Sequence, residues 1–260
     1  MAYVMLGRSQ KLEDIYILGE VKAKDIKADP DALNETYRLC NEFYKIKERE
    51  EAKFNDCFTI SYLNINRIKP HLLDVKKDLF IMKSDVISLA ETWLQPDEVV
   101  SFEEEGFSGV QLNIGNGKGI MAFTKMQDYD SENIRTMSCE NFSAIFMKTE
   151  LADLIFLYLS RGFNWGKLEK LLSLWINNQR SVAVIGDMNI DFIDEDHEFI
   201  QYMTRNGFGQ LVQEPTHIRG GLLDQIYVNK ALMEKKPFSS QNCVSYSDHD
   251  KITLHIPLDK

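Results

Sequence analysis

The residues Val182-Ala183-Val184-Ile185-Gly186-Asp187-Met188-Asn189-Ile190-Asp191 give the strongest single indication of how this chain folds. The run of β-branched and small apolar residues is typical of a strand buried on both faces, and the run stops at Gly186. Asp187 and Asn189 follow, spaced so that an extended backbone points both side chains to one side. This arrangement predicts polar chemistry presented from a rigid strand. Standing alone, the same residues would more often form a loop with an Asx-turn.

Length and composition indicate a globular protein. The chain has 260 residues and 44% hydrophobic content, enough for one large domain with an appendage. No window approaches ~18 uninterrupted apolar residues, and the N-terminus lacks the pattern of a signal peptide, so we expect neither a membrane span nor export. The cysteines Cys40, Cys57, Cys139 and Cys243 lie far apart without a C-x-x-C pair. This spacing disfavours structural zinc or a disulfide framework and predicts an intracellular, reducing location.

The charge balance restricts the class of nucleic-acid protein. The formal net charge is -10, from 30 basic and 40 acidic residues. Non-specific tracking along a polyanion needs a basic surface, so the balance disfavours that function. A nuclease that uses a divalent metal stays open, because the metal offsets the negative charge of a carboxylate site.

Residues 1–55 differ from the rest of the chain. Two short apolar segments flank an Arg-bearing turn at Arg8, and Asp29-Pro30-Asp31 offers a cap with proline in the first turn of a helix. Apolar side chains then recur at Leu33, Tyr37, Cys40 and Tyr44. This pattern predicts a hairpin and a linker helix, which form a short N-terminal appendage to a domain at residues 57–258.

Two strand-like segments at the start of this domain end in polar residues. Apolar and polar residues alternate from Phe58 to Asn66, which predicts a strand with Asn64 and Asn66 on one face. For either asparagine alone, a hydrogen bond to the backbone is the simpler interpretation. A helix is predicted next, with apolar positions at Leu72, Leu73, Val75, Leu79 and Phe80. Val86 to Leu94 is a buried-looking strand that carries Glu91. A carboxylate there needs a cation or a hydrogen-bond partner, and we favour metal ligation.

The middle of the chain predicts further strands. Asn116-Gly117-Lys118-Gly119 indicates a tight hairpin that enters the strand Ile120 to Phe123, and Phe142 to Met147 is predicted to be the neighbour of that strand. Leu154 to Tyr158 is another buried strand, and its last residue carries a phenol. A core tyrosine with its hydroxyl at the rim is the simplest interpretation of Tyr158 alone.

The C-terminal third adds acids and a histidine. Leu223-Asp224 begins one strand, and Ser247-Asp248-His249 precedes the last strand, Ile252 to Ile256. An imidazole flanked by acid, with a carboxylate from a separate strand, suits a histidine held in one tautomer and kept protonated. An ordinary surface role for His249 is the alternative. His71, His197 and His255 have no such neighbours, and we interpret them as structural or solvated.

Taken together, these motifs resemble the endonuclease/exonuclease/phosphatase superfamily. The matching motifs, in their order along the chain, are Asn64, Glu91-Thr92-Trp93-Leu94, Tyr158, Gly186-Asp187-Met188-Asn189, Leu223-Asp224 and Ser247-Asp248-His249. The resemblance covers about residues 57 to 258. It implies an α/β fold of the deoxyribonuclease-I-like type: a two-sheet, mainly antiparallel β-sandwich flanked by helices.

Finer resemblances point to mobile elements. Glu-Thr-Trp-Leu, the hairpin at Gly117 to Ala122 and the Pro215-Thr216-His217 motif look most like endonuclease domains of LINE-type retroelements. The motifs typical of inositol phosphatases are absent. Arg161 departs from the pattern, because related nucleases place Asn or His three residues after the tyrosine. Residues 1–55 resemble the C-terminal end of a Helitron-type superfamily-1 DNA helicase, but Gly7 replaces its Ser. The chain lacks a G-x-x-x-x-G-K-[ST] loop, which argues against ATP binding.

The resemblance implies a role for each candidate residue. It implies Mg²⁺ or Mn²⁺ held by Glu91, Asn64 and Asp248, a metal-assisted attack of water on DNA, and a nuclear location. The implied catalytic residues are Asp187, Asn189, His249, Asp224 and Tyr158, and the implied substrate-binding residues are Asn66, Thr216, Arg161 and Ser247. The oligomeric state is left open. Two alternatives stand beside this hypothesis: an apurinic-site endonuclease or phosphomonoesterase of the same fold, and a non-catalytic transposon-derived remnant.

Overall fold

A computed structural model describes residues 56–125, 131–139, 141–177, 179–194 and 196–258. The predicted appendage at residues 1–55 lies outside the described residues, and its helicase-like interpretation stays a prediction. Within the described parts of the chain, none of the helices is long and apolar enough to cross a membrane.

The first sheet has six strands in the order β11-β12-β1-β2-β4-β3. Its strands are β1 (Cys57–Asn64), β2 (Val86–Ala90), β3 (Ser108–Leu112), β4 (Ile120–Thr124), β11 (Phe238–Asn242) and β12 (Lys251–Pro257). All neighbouring pairs are antiparallel except β1 and β2. This sheet therefore joins strands from the two ends of the domain.

The second sheet also has six strands, in the order β5-β6-β7-β8-β10-β9. Its strands are β5 (Ile134–Cys139), β6 (Phe142–Lys148), β7 (Asp153–Leu159), β8 (Val182–Asp187), β9 (Gly209–Gln210) and β10 (Asp224–Val228). Only β7 and β8 pair in parallel. The predicted α/β sandwich of mainly antiparallel strands is confirmed, with one parallel pair in each sheet.

In the described part of the chain, four of the five α-helices cover the outer faces of the sheets, and the short fifth contributes Leu232 to the core between them. These helices are α1 (Ile68–Lys77), α2 (Leu79–Lys83), α3 (Trp165–Trp175), α4 (Glu198–Arg205) and α5 (Lys230–Met233). Ile68, Val75 and Ile81 of α1 and α2 pack with Leu63 and Ile87 of the first sheet, as expected for amphipathic helices. Leu168 and Leu172 of α3 and Phe199 and Met203 of α4 pack on the second sheet.

Two local predictions need correction. The helix predicted through Leu79 and Phe80 is broken at Asp78, whose extended backbone lets its carboxylate cap α2 by accepting from the N–H groups of Phe80 and Ile81. The segment Phe142 to Met147 forms β6 but does not pair with β4, because it lies in the other sheet between β5 and β7. Alternation alone does not say which strand is the partner.

Gly186 explains why β7 and β8 can pair at the point where Tyr158 and Asp187 meet. A Cβ atom on Gly186 would lie 1.9 Å from the Leu157 carbonyl oxygen, far inside contact distance. The close approach sets the parallel register in which Tyr158 pairs with Asp187. Any side chain at position 186 would therefore separate two strands that carry polar residues.

Candidate active site

Strand register brings the polar residues of both sheets to one end of the sandwich. In the second sheet, Asp187 pairs with Tyr158 on one side and with Asp224 on the other. In the first sheet, Asn64 pairs with Ala90, so Glu91 follows directly beside Asn64. The carboxyl ends of parallel strands meet at the same edge, which is where fixed polar groups are most easily assembled.

Asp187 is held by residues from both sheets. Its Oδ2 atom accepts a 2.9 Å hydrogen bond from Asn64 Nδ2, and its Oδ1 atom accepts a 2.8 Å bond from the backbone N–H of Asn189. Its own backbone N–H donates to the Tyr62 hydroxyl at 2.9 Å. The side chain is buried, and this burial, followed by the charge of Asp224, raises the pKa of Asp187. A carboxylate with a raised pKa is a stronger base.

Asn189 reaches Asp187 through a turn and not through an extended backbone. Strand β8 ends at Asp187, and Asn189 has a left-handed φ of 48°. The predicted extended geometry is therefore wrong, and the hydrogen bond from Asn189 to the Asp187 carboxylate is the Asx-turn that the sequence also allowed. The Asn189 side chain is fixed by a 2.7 Å bond from Nδ2 to the Leu159 carbonyl. The Asx-turn therefore holds Asn189 beside Asp187 within the candidate site.

His249 and Asp224 form a buried pair beside Asp187. The distance from His249 Nδ1 to Asp224 Oδ2 is 2.7 Å. Burial alone would lower the pKa of His249, but the hydrogen bond to Asp224 and the charges of Asp224, Asp187 and Asp248 raise it. The Nε2 atom of His249 lies 3.4 Å from Asn64 Nδ2. The histidine predicted to be oriented and charged by a distant acid is thus placed as expected.

Glu91 is oriented by Tyr158. The Tyr158 hydroxyl donates a 2.7 Å hydrogen bond to Glu91 Oε1. Burial, and then the neighbouring Glu91 carboxylate, raises the pKa of Tyr158, so the phenol stays protonated and remains a donor. Glu91 itself has a left-handed φ of 52°, which turns the chain out of β2. The structure joins these two predicted site residues, one from each sheet.

Asp248 lies between Asn66 and His217. Its Oδ1 atom accepts a 3.3 Å bond from Asn66 Nδ2, and its Oδ2 atom lies 3.6 Å from His217 Nε2. Burial opposes ionisation, but the backbone N–H groups and then His249, Asn66 and His217 lower the pKa of Asp248. The His217 ring also packs edge-on against His249, with centroids 4.7 Å apart. His217 belongs to the site, although only its neighbour Thr216 had been assigned a role from the sequence.

An open cavity of about 460 Å³ lies beside these residues, and the buried Asp187, Asp224 and Tyr158 are not among the residues that line it. Its lining includes the predicted residues Asn66, Glu91, Arg161, Asn189, Asp248 and His249, together with Asp191, His217, Arg219 and Leu223, which had not been predicted. Arg161 and Arg219 are exposed and make no ion pair within the described residues. A signal for Arg219 was present, since it follows His217 in a loop with two glycines.

Three predicted residues lie behind the cavity and hold other groups in place. The Thr216 hydroxyl accepts hydrogen bonds from the backbone N–H groups of Leu223 and Asp224. The Ser247 hydroxyl donates to the Asn64 carbonyl and accepts from the His249 N–H. These contacts, and the bond from Asn64 to Asp187, place Thr216, Ser247 and Asn64 as supports that position Asp224, His249 and Asp187. A direct contact of Thr216 or Ser247 with phosphate stays a prediction.

The donor set fits a hard divalent cation. Glu91, Asn66 and Asp248 present carboxylate and amide oxygens at the cavity, and no cysteine is among the lining residues. Two groups of acidic and histidine residues have ligand atoms within 4.8 Å of one another: His217, Asp248 and His249, and Asp187, Asp224 and His249. In the second group, Asp224 Oδ1 is buried without a hydrogen-bond partner. Oxygen ligands of this kind suit Mg²⁺ or Mn²⁺.

Acids, amides and one paired histidine thus lie together at the common end of the two packed sheets. The chain belongs to the endonuclease/exonuclease/phosphatase family, whose model matches residues 62–249. The match spans every residue of the site from Asn64 to His249. None of the curated protein sequences matches the chain.

Several solved structures share the fold at low sequence identity. An AP endonuclease from Archaeoglobus fulgidus aligns with a TM-score of 0.62 and 19% identity, covering 76% of this chain and 98% of that chain. A 3'-5' exonuclease from Neisseria meningitidis aligns with a TM-score of 0.60 and 16% identity, covering 75% of this chain and 98% of that chain. The endonuclease domain of TRAS1, a telomere-specific non-LTR retrotransposon, aligns with a TM-score of 0.56 and 15% identity, covering 78% of this chain and 100% of that chain.

Proposed function

We propose that this protein is a divalent-metal-dependent phosphodiesterase that nicks DNA. One observation carries the proposal: Asp187 is held by Asn64 and Asn189 beside the His249–Asp224 pair. A base and a charged acid fixed side by side next to an open cavity are what hydrolysis of a phosphodiester requires.

We assign the metal to Glu91, Asn66 and Asp248. Asn66 takes the place of Asn64, which the resemblance implies as the amide ligand. Both ends of the Asn64 amide are engaged, since Nδ2 donates to Asp187 and Oδ1 accepts from the Asn66 N–H, whereas the Asn66 side chain lines the cavity. Tyr158 orients Glu91 from behind. When bound, the metal offsets negative charge that develops on the phosphate.

The remaining steps, which are proton transfer, stabilisation of the phosphate charge and attraction of the DNA, are assigned to protein side chains. Asp187, with its raised pKa, accepts the proton of the attacking water while Asn189 fixes the carboxylate. The imidazolium of His249, held through Nδ1 by Asp224, directs Nε2 toward the phosphate and stabilises its charge or protonates the leaving oxygen. Arg161 and Arg219 attract the polyanion from the cavity wall.

The biological setting is part of the proposal. The Glu91-Thr92-Trp93-Leu94 motif and the similarity to a retrotransposon endonuclease domain support a nuclease of a mobile element. Such an enzyme meets its DNA in the nucleus, and a 3'-hydroxyl at the nick would initiate insertion. The helicase-like interpretation of residues 1–55 is consistent with this setting and needs its own test.

A second candidate is an apurinic-site endonuclease or phosphomonoesterase. Two of the similar structures are AP endonucleases, from Archaeoglobus fulgidus and Leishmania major. The site residues do not separate these activities, because each of the activities is the hydrolysis of a phosphoester. A non-catalytic remnant is disfavoured, since each catalytic residue and its hydrogen-bond partner are in place.

The first experiment follows conversion of supercoiled plasmid to the open-circle form with Mg²⁺, with Mn²⁺ and with excess EDTA. We expect nicking with either metal and none with EDTA. Asp187→Asn and His249→Asn should each abolish nicking, whereas Asp97→Asn and His71→Asn are matched controls at positions away from the cavity. Folded protein that nicks equally well with Asp187→Asn would overturn the assignment.

A second set of substrates separates the candidates. Oligonucleotides carrying either a single apurinic site or a 3'-phosphate are compared with the plasmid under the same conditions. Cleavage confined to the apurinic oligonucleotide would favour repair, and release of inorganic phosphate alone would favour a phosphomonoesterase.

A further inference from the structure

We infer that Trp93 and Arg67 form a stacking platform for an unpaired nucleobase beside the catalytic cavity. The inference rests on the proposed function and names its substrate class: DNA that carries an unpaired base next to the phosphate to be cleaved. Neither residue is needed for the chemistry described above.

Trp93 is exposed although it is the kind of residue that a fold normally buries. Its exposed fraction is 40%, while the flanking Thr92 and Leu94 are buried. It has a left-handed φ of 57°, a backbone conformation that costs energy in a residue other than glycine. The local fold therefore holds the indole at the surface, although its chain neighbours point inward.

The platform is rigid. The indole lies against Gly117, where an added Cβ atom would come 2.9 Å from the ring, so this close contact requires glycine. Three backbone bonds fix the surrounding loops: Arg67 N–H to Glu91 O at 2.9 Å, Ile68 N–H to Thr92 O at 3.1 Å, and Thr92 N–H to Gly119 O at 3.2 Å. A ring that is already ordered loses little entropy when it binds.

Arg67 completes the platform. Its guanidinium carbon lies 4.7 Å from the centroid of the Trp93 ring, and the group makes no ion pair within the described residues. The exposed guanidinium lies over the indole, so the stacked pair offers a planar cationic surface to a base and a charge to the adjoining phosphate.

The position of the platform selects its occupant. Arg67 directly follows Asn66, and Trp93 lies two residues after Glu91, and both Asn66 and Glu91 line the cavity. Arg161 and Arg219 line the cavity, and Arg67 adds a third cationic group next to the lining residue Asn66, in a chain whose net charge is -10. Bases inside an intact duplex are stacked on each other, so away from a duplex end only an unpaired base can present its face to the stacked Arg67 and Trp93 side chains.

Equilibrium binding in EDTA tests the inference without cleavage. Two fluorescein-labelled DNA hairpins are compared, one fully paired and one with a single unpaired thymine. We expect the native protein to bind the hairpin with the unpaired base about tenfold more tightly. Trp93→Ala should remove this preference, Trp93→Phe should keep part of it, and Arg67→Met should reduce it. Leu174→Ala, at another exposed apolar side chain on α3, should keep the preference in full.

Tryptophan fluorescence gives a second readout that does not require Trp93→Ala to fold. The chain has three tryptophans, at positions 93, 165 and 175. Stacking should quench the emission of the native protein when the hairpin with the unpaired base binds, and Trp93→Phe should lose this quenching because the remaining tryptophans, Trp165 and Trp175, are the first and last residues of α3 and pack against Tyr202 and Phe146. Equal affinity for the two hairpins, or a preference and quenching unchanged in the Trp93 variants, would overturn the inference.

The result is distinguishable from failure of the proposed function. Plasmid nicking without a hairpin preference removes the platform and leaves the nuclease. A preference lost in Trp93→Ala without nicking of any substrate keeps the platform and removes the nuclease.

Discussion

His249 Nδ1 lies 2.7 Å from Asp224 Oδ2, and Asp224 stands directly opposite Asp187 in the pairing of β10 with β8. Two carboxylates thus occupy neighbouring positions in one sheet, and the imidazole is bonded to one of them and close to the other. The positive charge of His249 offsets part of the repulsion between the two acids. The three groups therefore act as one electrostatic unit.

This unit predicts strongly non-additive effects on catalysis. Asp224→Asn and His249→Asn should each lower kcat for nicking by about 100-fold or more. The double variant should be little worse than His249→Asn alone, because Asp224 acts through the histidine. Single-turnover cleavage rates of the native protein, the two single variants and the double variant, measured on one labelled oligonucleotide, test this expectation. A double variant whose loss in rate equals the product of the two single losses would contradict it.

Loss of the Tyr158 hydroxyl should weaken metal binding. In Tyr158→Phe, Glu91 loses its 2.7 Å hydrogen bond, so we expect the Mg²⁺ concentration for half-maximal nicking to rise by about tenfold. Activity at saturating Mg²⁺ should recover most of its native value. Tyr202→Phe on α4 is the control and should leave the metal titration unchanged. A lower plateau with an unchanged midpoint would instead place Tyr158 at the substrate.

Arg161 and Arg219 should contribute to DNA binding through charge. Arg161→Gln and Arg219→Gln should each weaken binding and reduce the slope of log affinity against log salt by about 1. Arg205→Gln, on α4 outside the cavity lining, should leave that slope unchanged. The measurement is DNA affinity between 50 and 200 mM salt. An unchanged slope of log affinity against log salt in both variants would mean that neither guanidinium contacts phosphate.

A buried ion pair away from the cavity should matter for stability. Lys251 Nζ lies 3.1 Å and 3.2 Å from the two Asp78 carboxylate oxygens, and the Tyr246 hydroxyl donates to the same carboxylate. Lys251→Met leaves that charge without its cation and should cost about 3 kcal/mol in the free energy of unfolding.

An exposed pair provides the comparison for this measurement. Lys69 bonds to Glu98 at the surface, where solvent screens the two charges, so Lys69→Met should cost much less of the free energy of unfolding than Lys251→Met. Urea unfolding of the two variants measures both effects. Equal losses in the free energy of unfolding for the two variants would show that burial does not determine how much the Lys251–Asp78 pair stabilises the protein.

Sequence patterns predict the strands and many of the residues that meet at the site, because each motif lies at or next to one end of a strand. The buried run Val182 to Ile185 and the acid after it could be interpreted without knowledge of any partner. Pairing was harder, since alternation in Phe142 to Met147 indicates a strand but carries no information about which sheet receives it. The placement of β6 in the second sheet depends on contacts between segments far apart in the chain.

The roles of individual polar residues were the least predictable. Asn64 and Asn66 have the same side chain and lie two residues apart, yet one is buried against Asp187 and the other lines the cavity. The difference arises because β1 ends at Asn64 and Asn66 adopts a left-handed φ of 42°. His217 was missed for a similar reason: its packing on His249 comes from a bridge between two loops.

Strand β12 lies next to β1, so the first sheet is completed only by the last part of the domain. Asp248 and His249 immediately precede that strand, whereas Asn64 ends the first one. A ribosome must therefore release almost the whole domain before the acid, the base and the histidine can meet. During synthesis the emerging chain therefore carries an incomplete site until this strand has been made.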